Sequence, residues 1–548
     1  MQPGDSNLNR RDFTKAATLA AGGAMVGLAG CAGGENGGNG IELEITVNNP
    51  SFDPFRYEYA QMVADSWEEL GFAVEVNSMD WNAVVEEALI AQEYDTSVIT
   101  WDGSPERIDP HTFLYDLFHS SNSVEGGRNE VNYDNPDYDD LAEEQARIFD
   151  DDERQEVVYE CQKVLAEEQP RTPVANRTQI MPYNNERFSD PEVLIGESLL
   201  SFWNMIGVEP ADGVEDLRFG YPEEVGSLNP LDYVGAHDRT AIRLIYDRLA
   251  RIDQDGLPAP WAAEEIDILD EDGEVAVTIR EGMTWHDGED VTVEDVQFSF
   301  EFANEHSPIG SDWTDIIDEI EIVDDRELVF HLEEPFAPFV SNTLTQVNLI
   351  PMHVWEDVPD EIDEEPVDWD EPDHIGSGPF QLDYWELEEE MVMTAFDDHF
   401  EPPNVERLIK VPGSDMSSLV GFLEEEQIDM IGQTPEPNTI DRLEDEEFIS
   451  FAEVDDHGFH HVNYQMEREP FDDVAVRRAL ARAIPKADIV DALLDGRGTV
   501  ADSVIAEVNE FWHNPDVERL EYDLDAARAE LEEAGYTWNG DGQIQYPE

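Results

Sequence analysis

AGYTWNGDGQIQYPE, residues 534–548, holds turn chemistry followed by a strand. Trp538-Asn539-Gly540-Asp541-Gly542 carries the Asn-Gly and Asp-Gly pairs of tight turns, and Gln543-Ile544-Gln545-Tyr546 alternates polar and apolar residues like an edge strand. A strand needs a hydrogen-bonding partner. The candidate lies far upstream, where Ile41-Glu42-Leu43-Glu44-Ile45-Thr46-Val47 alternates in the same way.

The chain has 548 residues, 40% of them hydrophobic, enough to bury a large core divided into two or three lobes. Its formal charge is −100, from 130 acidic against 30 basic residues, and only Lys15, Lys163, Lys410 and Lys486 are lysines. That excludes a nucleic-acid binder, because phosphates would be repelled over the whole surface. Aromatic residues make up 10%, and the acids are interleaved with apolar residues at strand and helix periods, so the chain folds under an acidic skin. Such a skin repels itself in dilute buffer and is tolerated in concentrated salt. The composition resembles that of proteins from extreme halophiles, haloarchaea above all.

Asn9-Arg10-Arg11-Asp12-Phe13-Thr14-Lys15 precedes an apolar, small-residue run from Ala16 to Ala29 that is too short to span a bilayer. The paired arginines resemble a twin-arginine export signal, with Arg10 and Arg11 as its core, and Leu28-Ala29-Gly30-Cys31 resembles a lipobox that would make Cys31 a lipidated first residue. A glycine-rich tether follows over 32–40. Cys161 is the one cysteine left, so no internal disulfide is expected after processing.

From Ile41 the pattern runs strand, helix, strand, helix, strand to Trp101, which predicts an α/β layer with parallel pairing. Two acidic helices are expected at 138–149 and 152–168, and 206–216 is polar and aperiodic, like a linker. A new unit opens at Leu217. Hairpins are expected around Asp270-Glu271-Asp272-Gly273 and Asp324-Asp325, and Thr292 with Asp295 predicts a capped helix start.

SLNPLDY (227–233), VTIREGMTWHDGEDVTVEDVQFSF (277–300), LVFHLEEPFAPFV (328–340), HIGSGPFQLDYW (374–385) and EPFDDVAVRRALARAI (469–484) resemble the peptide- and nickel-binding family 5 of extracytoplasmic solute-binding proteins, the receptors of ABC importers. The family's usual C-terminal part is matched at 41–205, by LEITVNN, WEELGFAVEV, YDTSVITW, NYDNPDYDDL and ERQEVVYECQKVLAEEQP. The resemblance implies an α/β, two-lobed periplasmic-binding-protein-like fold of the class with an extra small lobe, in circularly permuted order. Residues 1–31 would be the signal. The second lobe would open at 471–548 and be completed by 41–175, with the chain returning to the first lobe over 175–205. The first lobe would hold 217–265 and 371–470, the small lobe 266–370, and 206–216 would join the old ends. Joining Ile544 to Ile41 would restore a family hairpin. A cut there is physically tolerable, since chain ends lie at surfaces and glycine-rich tips accept breaks.

The same resemblance implies a receptor that is not an enzyme and needs no cofactor. It would be a monomer, held outside the cell by its lipid, that closes its lobes on a small solute such as an oligopeptide and delivers it to a permease and ATPase. In the family, a Trp and then a carboxylate before Asp-Pro contact the ligand, and in peptide binders that carboxylate holds the free amino end. Here the stretch is Trp101-Asp102-Gly103-Ser104-Pro105-Glu106-Arg107-Ile108-Asp109-Pro110, so Trp101 and Asp109 match while Ser104 stands at the amino-binding position. Asp102 or Glu106 could substitute, and Asn463 falls where the family places a cleft Asn on a strand. His457, His460 and His461 fit no metal-site spacing, and neighbouring strand residues point to opposite faces. A secreted hydrolase would need a nucleophile or metal constellation, and no Gly-Xaa-Ser-Xaa-Gly, Walker or HExxH motif occurs. A sensory or adhesion module is the other alternative, separated from a receptor by the presence of a neighbouring permease gene.

With so few cations to offset its self-repulsion, the fold is expected to weaken as salt is withdrawn. Melting followed by circular dichroism should fall steadily from molar to millimolar potassium chloride, and a melting temperature indifferent to salt would contradict this reading.

Overall fold

A computed structural model describes residues 40–547, apart from 222–224, 232–235, 271–272, 363–364, 370 and 387–388. The export signal with Arg10 and Arg11, and Cys31 with most of the tether, lie outside the described residues.

The alternating run at 41–47 forms β1 (Glu42–Asn48). Helix α1 (Pro54–Leu70) starts where the Asp53 carboxylate accepts the Phe55 and Arg56 N–H groups, and stops at Gly71, whose φ of +101° suits glycine. Strands β2 (Ala73–Met79) and β3 (Thr96–Trp101) both pair with β1 in parallel, as the strand–helix–strand pattern predicts. The acidic helices are α2 (Pro136–Arg147) and α3 (Asp151–Glu168), and they lead into the longest strand, β4 (Arg171–Asn184). The later half contributes β5 (Asp216–Tyr221), α4 (Ala236–Ile245), β6 (Phe380–Glu386), β7 (Glu390–Ala395), β8 (Arg407–Pro412), β9 (Met430–Ile431) and β10 (Ile449–Asp455). After these come β11 (Phe459–Tyr464), α5 (Val474–Arg482), β12 (Gly498–Val500) and α6 (Leu524–Glu533).

All twelve strands join one sheet in the order β6-β7-β8-β5-β9-β4-β11-β3-β1-β2, with β10 and β12 also on β4. Strand β4 runs through both lobes. Its first residues, Arg171 to Ala175, pair antiparallel with β11, and Thr178 to Asn184 pair antiparallel with β10. Residues 41–72 bury Tyr59, Val63 and Trp67 in the same core as Val462, Leu480 and Ile544, so the early segment completes a lobe begun by the late one. On the other side one continuous core joins the first lobe to the small lobe. The small lobe's sheet, Ala263–Asp270, Glu274–Ile279, Glu327–Leu332 and Ile317–Ile322, therefore shares apolar contacts with its neighbour. Thr292 and Asp295 form the expected capping box.

Residues 206–216 are less featureless than their sequence suggests. Glu209–Pro210 pairs with Phe188–Ser189, and Asp216 already belongs to β5. Hydrogen bonds to distant backbone order this stretch, which no local periodicity can announce.

The strand at 543–546 meets Ile41 more sparingly than a full hairpin would. Ile544–Gln545 pairs with Thr537–Trp538, the Ile41 N–H donates to the Ile544 carbonyl at 3.2 Å, and the Ile544 N–H donates to the Gly71 carbonyl at 3.0 Å. The contact is made by Ile41, just before β1, while β1 itself pairs with β2 along its length and with β3 from Ile45 to Val47. Ile544 is fully buried all the same, and Trp538 donates to the Leu70 carbonyl at 2.6 Å. A Cβ on Gly71 would meet the Gly542 carbonyl oxygen at 2.5 Å, on top of its left-handed φ. Gly71→Ala is therefore expected to cost about 1–3 kcal/mol and to loosen this corner first. Hydrogen exchange should show faster exchange at 537–545 than at β4; uniform exchange across the chain would contradict the assignment.

Candidate functional site

The loop after β3 is pressed between two other chain segments, and three glycines allow it. A Cβ on Gly103 would meet the Asp456 carboxylate at 1.9 Å, one on Gly196 would meet the Gly103 carbonyl at 1.7 Å, and one on Gly458 would meet the Gly103 N at 2.3 Å. His457 Nε2 donates to the Ser104 carbonyl at 3.1 Å, which completes the clamp. Asp102 and Ser104 are thereby fixed at the C-terminal end of a parallel strand, where open α/β sheets gather ligands.

Beyond the loop lies a cleft of about 570 Å³. One wall is Ser104, Arg107 and Asp116 of the second lobe with Arg128, and the facing wall is Arg239 of α4 with Trp313 and Phe336 of the small lobe. The cations have different partners. Arg107 is 2.5 Å from Asp102 and Arg128 is 2.7 Å from Asp116, while no carboxylate among the described residues lies within ion-pair distance of Arg239. Solvent reaches 65% of the Asp102 side chain. Burial would raise its pKa; Arg107 first, and Arg239 from across the cleft, outweigh that and hold the carboxyl below its ordinary range.

A clasp closes one end of the cleft. Ser341 donates to Asp109 at 2.5 Å, the Ala337 N–H donates to the Ala146 carbonyl at 2.7 Å, and Phe336 meets His111 edge-on at 5.2 Å. Each of these contacts joins the small lobe to the second lobe.

The family model described as Bacterial extracellular solute-binding proteins, family 5 Middle, matches residues 3–125 and 258–548, well over half of the chain. The chain belongs to this family. Among curated relatives, this family 5 protein is 27% identical over 303 residues to the dipeptide-binding protein of Escherichia coli K12, covering 50% of this chain and 55% of that one. It is 29% identical over 313 residues to the oligopeptide-binding protein AppA of Bacillus subtilis, covering 55% of each. The chain thus spans about half the length of the curated relatives it matches. The solved structure of AppA from Bacillus subtilis with a nonapeptide aligns at a TM-score of 0.46 and 25% identity, over 61% of this chain and 67% of that one.

Within this family 5 protein the residues singled out by sequence separate. Ser104 lines the cleft, Asp102 stands exposed beside it and is paired with Arg107, and Glu106 lies in the short 3-10 turn Pro105–Arg107, its side chain outside the described set. Trp101 is half-buried against the cluster around Phe459 and Trp512, and the Arg107 guanidinium lies 5.2 Å over its ring, occupying a face that sequence reasoning left to a solute. Asp109 is corrected: it is 4% exposed, and both oxygens are engaged, by Arg154 at 2.6 and 3.0 Å, by the His111 N–H and by Ser341. Burial alone would raise its pKa, and Arg154 reverses that. A buried carboxylate facing a guanidinium positions the loop and has no lone pair left for a solute. Asn463 is corrected as well, being 0% exposed with its amide given to Ser97 and Glu130 at 3.2 Å each. His460 and His461 are buried on opposite sides of β11, His460 against Phe55 and His461 beside Phe459.

Sequence reasoning missed Arg107, Arg128, Arg239, Trp313 and Phe336. The scarcity of cations was the available signal, since each arginine in so acidic a chain is a candidate for a specific task.

Asp456 sits beneath the loop. Burial pushes its carboxyl up to about 6, and the nearby Asp102 charge adds to this, against hydrogen bonds from Gly458 and Gln179. The folded state then holds the proton more tightly than the unfolded chain, so the stability tied to this group is full below about pH 4 and is lost as pH rises through 6. Asp456→Asn should therefore stabilise the protein at neutral pH by on the order of 1 kcal/mol and change little near about pH 4. Denaturant titrations at the two pH values check this, and an equal effect at both would remove the assignment.

Proposed function

We propose that this solute-binding protein captures a small peptide-like solute bearing a carboxylate, in the cleft between Arg107 and Arg239, and presents it to the permease of an ABC importer. The observation that carries the reading is the charge arrangement. In a chain with 130 acidic residues, the cleft brings three arginines together, and Arg239 alone faces it without a carboxylate partner among the described residues. A solute carboxylate supplies that partner through charge-assisted hydrogen bonds. Trp313 and Phe336 offer apolar faces for the body of the solute. The volume falls within the usual range for small-ligand sites of about 300–1,000 Å³.

Capture works by closure of lobes about β4, with no covalent step. Opening would break the clasp of Ser341 on Asp109 and Ala337 on Ala146, so these contacts bias the protein toward its closed form. Export through Arg10 and Arg11, lipid attachment at Cys31 and a place on the outer face of the membrane belong to the same proposal and rest on residues 9–31. The order of the segments is read as a circular permutation of the family's, supported by the contact of Ile41 with Ile544.

Calorimetry in high salt, with protein freed of retained solute by unfolding and refolding, tests the reading against a panel of short peptides. Arg239→Gln should weaken binding of peptides with a free carboxylate by about 10- to 100-fold and leave their amides unaffected. Failure of every carboxylate-bearing peptide to bind, or equal affinities in wild type and variant, would overturn it.

A further inference from the structure

The second-lobe wall of the cleft carries a histidine whose chemistry is set by the residues packed behind it. His111 stands just before the π-turn Thr112–Asp116 and lines the cleft, its ring stacked on Tyr115 at 4.8 Å and met edge-on by Phe336 of the small lobe. Turns of this kind are rare and recur at functional sites. The His111 N–H donates to Asp109 at 2.8 Å, so the same buried carboxylate that Arg154 holds also fixes the backbone beneath the ring.

The network behind the ring leaves one tautomer. Arg154 donates to the Gln145 side-chain oxygen from Nε at 3.1 Å and from Nη2 at 2.9 Å. A guanidinium has only donors, so the carboxamide is held with its oxygen toward Arg154. Gln145 is fully buried, and its amide nitrogen turns one hydrogen to the Ala142 carbonyl and the other to His111 Nδ1, at 3.0 Å each. Nδ1 is therefore an acceptor, the ring proton sits on Nε2, and no described residue accepts from Nε2 in turn. The charged and titratable groups around the ring are Asp116 one turn on, Asp109 on its own loop, Arg154 of α3 and His119, stacked beyond Tyr115. Burial lowers the pKa of His111, and Arg154 and His119 add to this, while the two aspartates oppose it without reversing it. A neutral ring beside two carboxylates offers a hydrogen bond but no positive charge to draw an anion. The acceptor that suits it is an uncharged carbonyl oxygen.

We propose that His111 Nε2–H is a specificity-determining donor of the cleft and takes a neutral acyl oxygen of the solute, the carbonyl of a peptide bond. The inference rests on the reading of the cleft as a site for a carboxylate-bearing solute, and it narrows the class. A solute that gives a carboxylate to Arg239 and a carbonyl to His111 is a peptide or an acylated amino acid, and a simple carboxylic acid meets only half of the site. Gln145 and Arg154 are positioning residues: they fix which ring nitrogen carries the proton without touching the solute.

Nitrogen-15 NMR of the histidine-labelled protein without solute reads the tautomer. His111, assigned by the absence of its signals in His111→Gln, should show a protonated Nε2 and a bare Nδ1, and should stay neutral at about pH 6.5, where an ordinary histidine is half protonated. Calorimetry in high salt then compares short peptides with analogues carrying a thioamide, whose sulfur is the weaker acceptor. His111→Phe keeps a ring against Tyr115 and Phe336 and should weaken peptide binding by about 10-fold. His111→Gln, which retains an N–H at similar reach, should recover most of that loss, and the thioamide penalty of the wild type should vanish in His111→Phe. A proton on Nδ1, an imidazolium at neutral pH, or a thioamide penalty unchanged in His111→Phe would overturn the proposal. Peptide binding that is lost in Arg239→Gln and intact in His111→Phe removes this inference alone. A wild-type protein that binds no carboxylate-bearing peptide removes the parent reading and this one with it.

Discussion

The antiparallel ribbon of β4 with β10 and β11 is the element on which both lobes hang. Fourteen residues of β4 give their first third to the second lobe and their last half to the first, so neither core can form its sheet without it. Buried charge pairs pin both ends. Arg171 meets Glu130 at 3.0 Å at the start, with side chains 0% and 2% exposed, and Arg187 and Arg218 converge on the fully buried Asp429 at the end. Between them, around 175–178 and 455–459, the ladder passes from one lobe to the other. Changes of lobe angle are absorbed most cheaply at such crossings. Asp456 and the loop that carries Asp102 sit on this crossing, so closure and the chemistry of the cleft share one piece of backbone.

Arginine use explains much of the rest. A surface with so many carboxylates gains little from any single exposed ion pair, which is worth roughly 0–1 kcal/mol and is screened by salt. Inside, a guanidinium opposite a carboxylate is costly to lose, because breaking a buried pair leaves an uncompensated charge. The chain concentrates its few cations accordingly: Arg154 on Asp109, Arg171 on Glu130, Arg107 and Arg128 at the cleft rim, Arg239 across it, and Arg243, Arg248 and Arg251 buried in the first lobe. The acidic skin and the basic interior sites are two sides of one distribution.

Much of the architecture was legible locally. The alternation at 41–47, the helix stop at Gly71, the Thr292–Asp295 capping box and the parallel β3–β1–β2 layer each follow from short-range periodicity or from a cap whose donors lie within three residues. The site was legible only in part. Ser104 lines the cleft because it follows a buried strand, whereas Asp109 and Asn463 were read as cleft residues and are buried in pairs. Their partners, Arg154 and Ser341 for one and Ser97 and Glu130 for the other, come from segments up to 366 residues away. A carboxylate with an empty flank and one saturated by a guanidinium look identical in sequence.

The amino-acid sequence by itself determined the family, the α/β layering and the acidic surface, because these depend on composition, period and motif. Only the tertiary structure decided which charges are paired. That Arg107 covers Trp101, that Arg239 faces the cleft without a carboxylate partner among the described residues and that Ile544 reaches Ile41, just before β1, all follow from distances between remote segments. The physical reason is that burial and electrostatics act through space: a side chain's partner, and hence its role, is set by the strands that the fold brings alongside it.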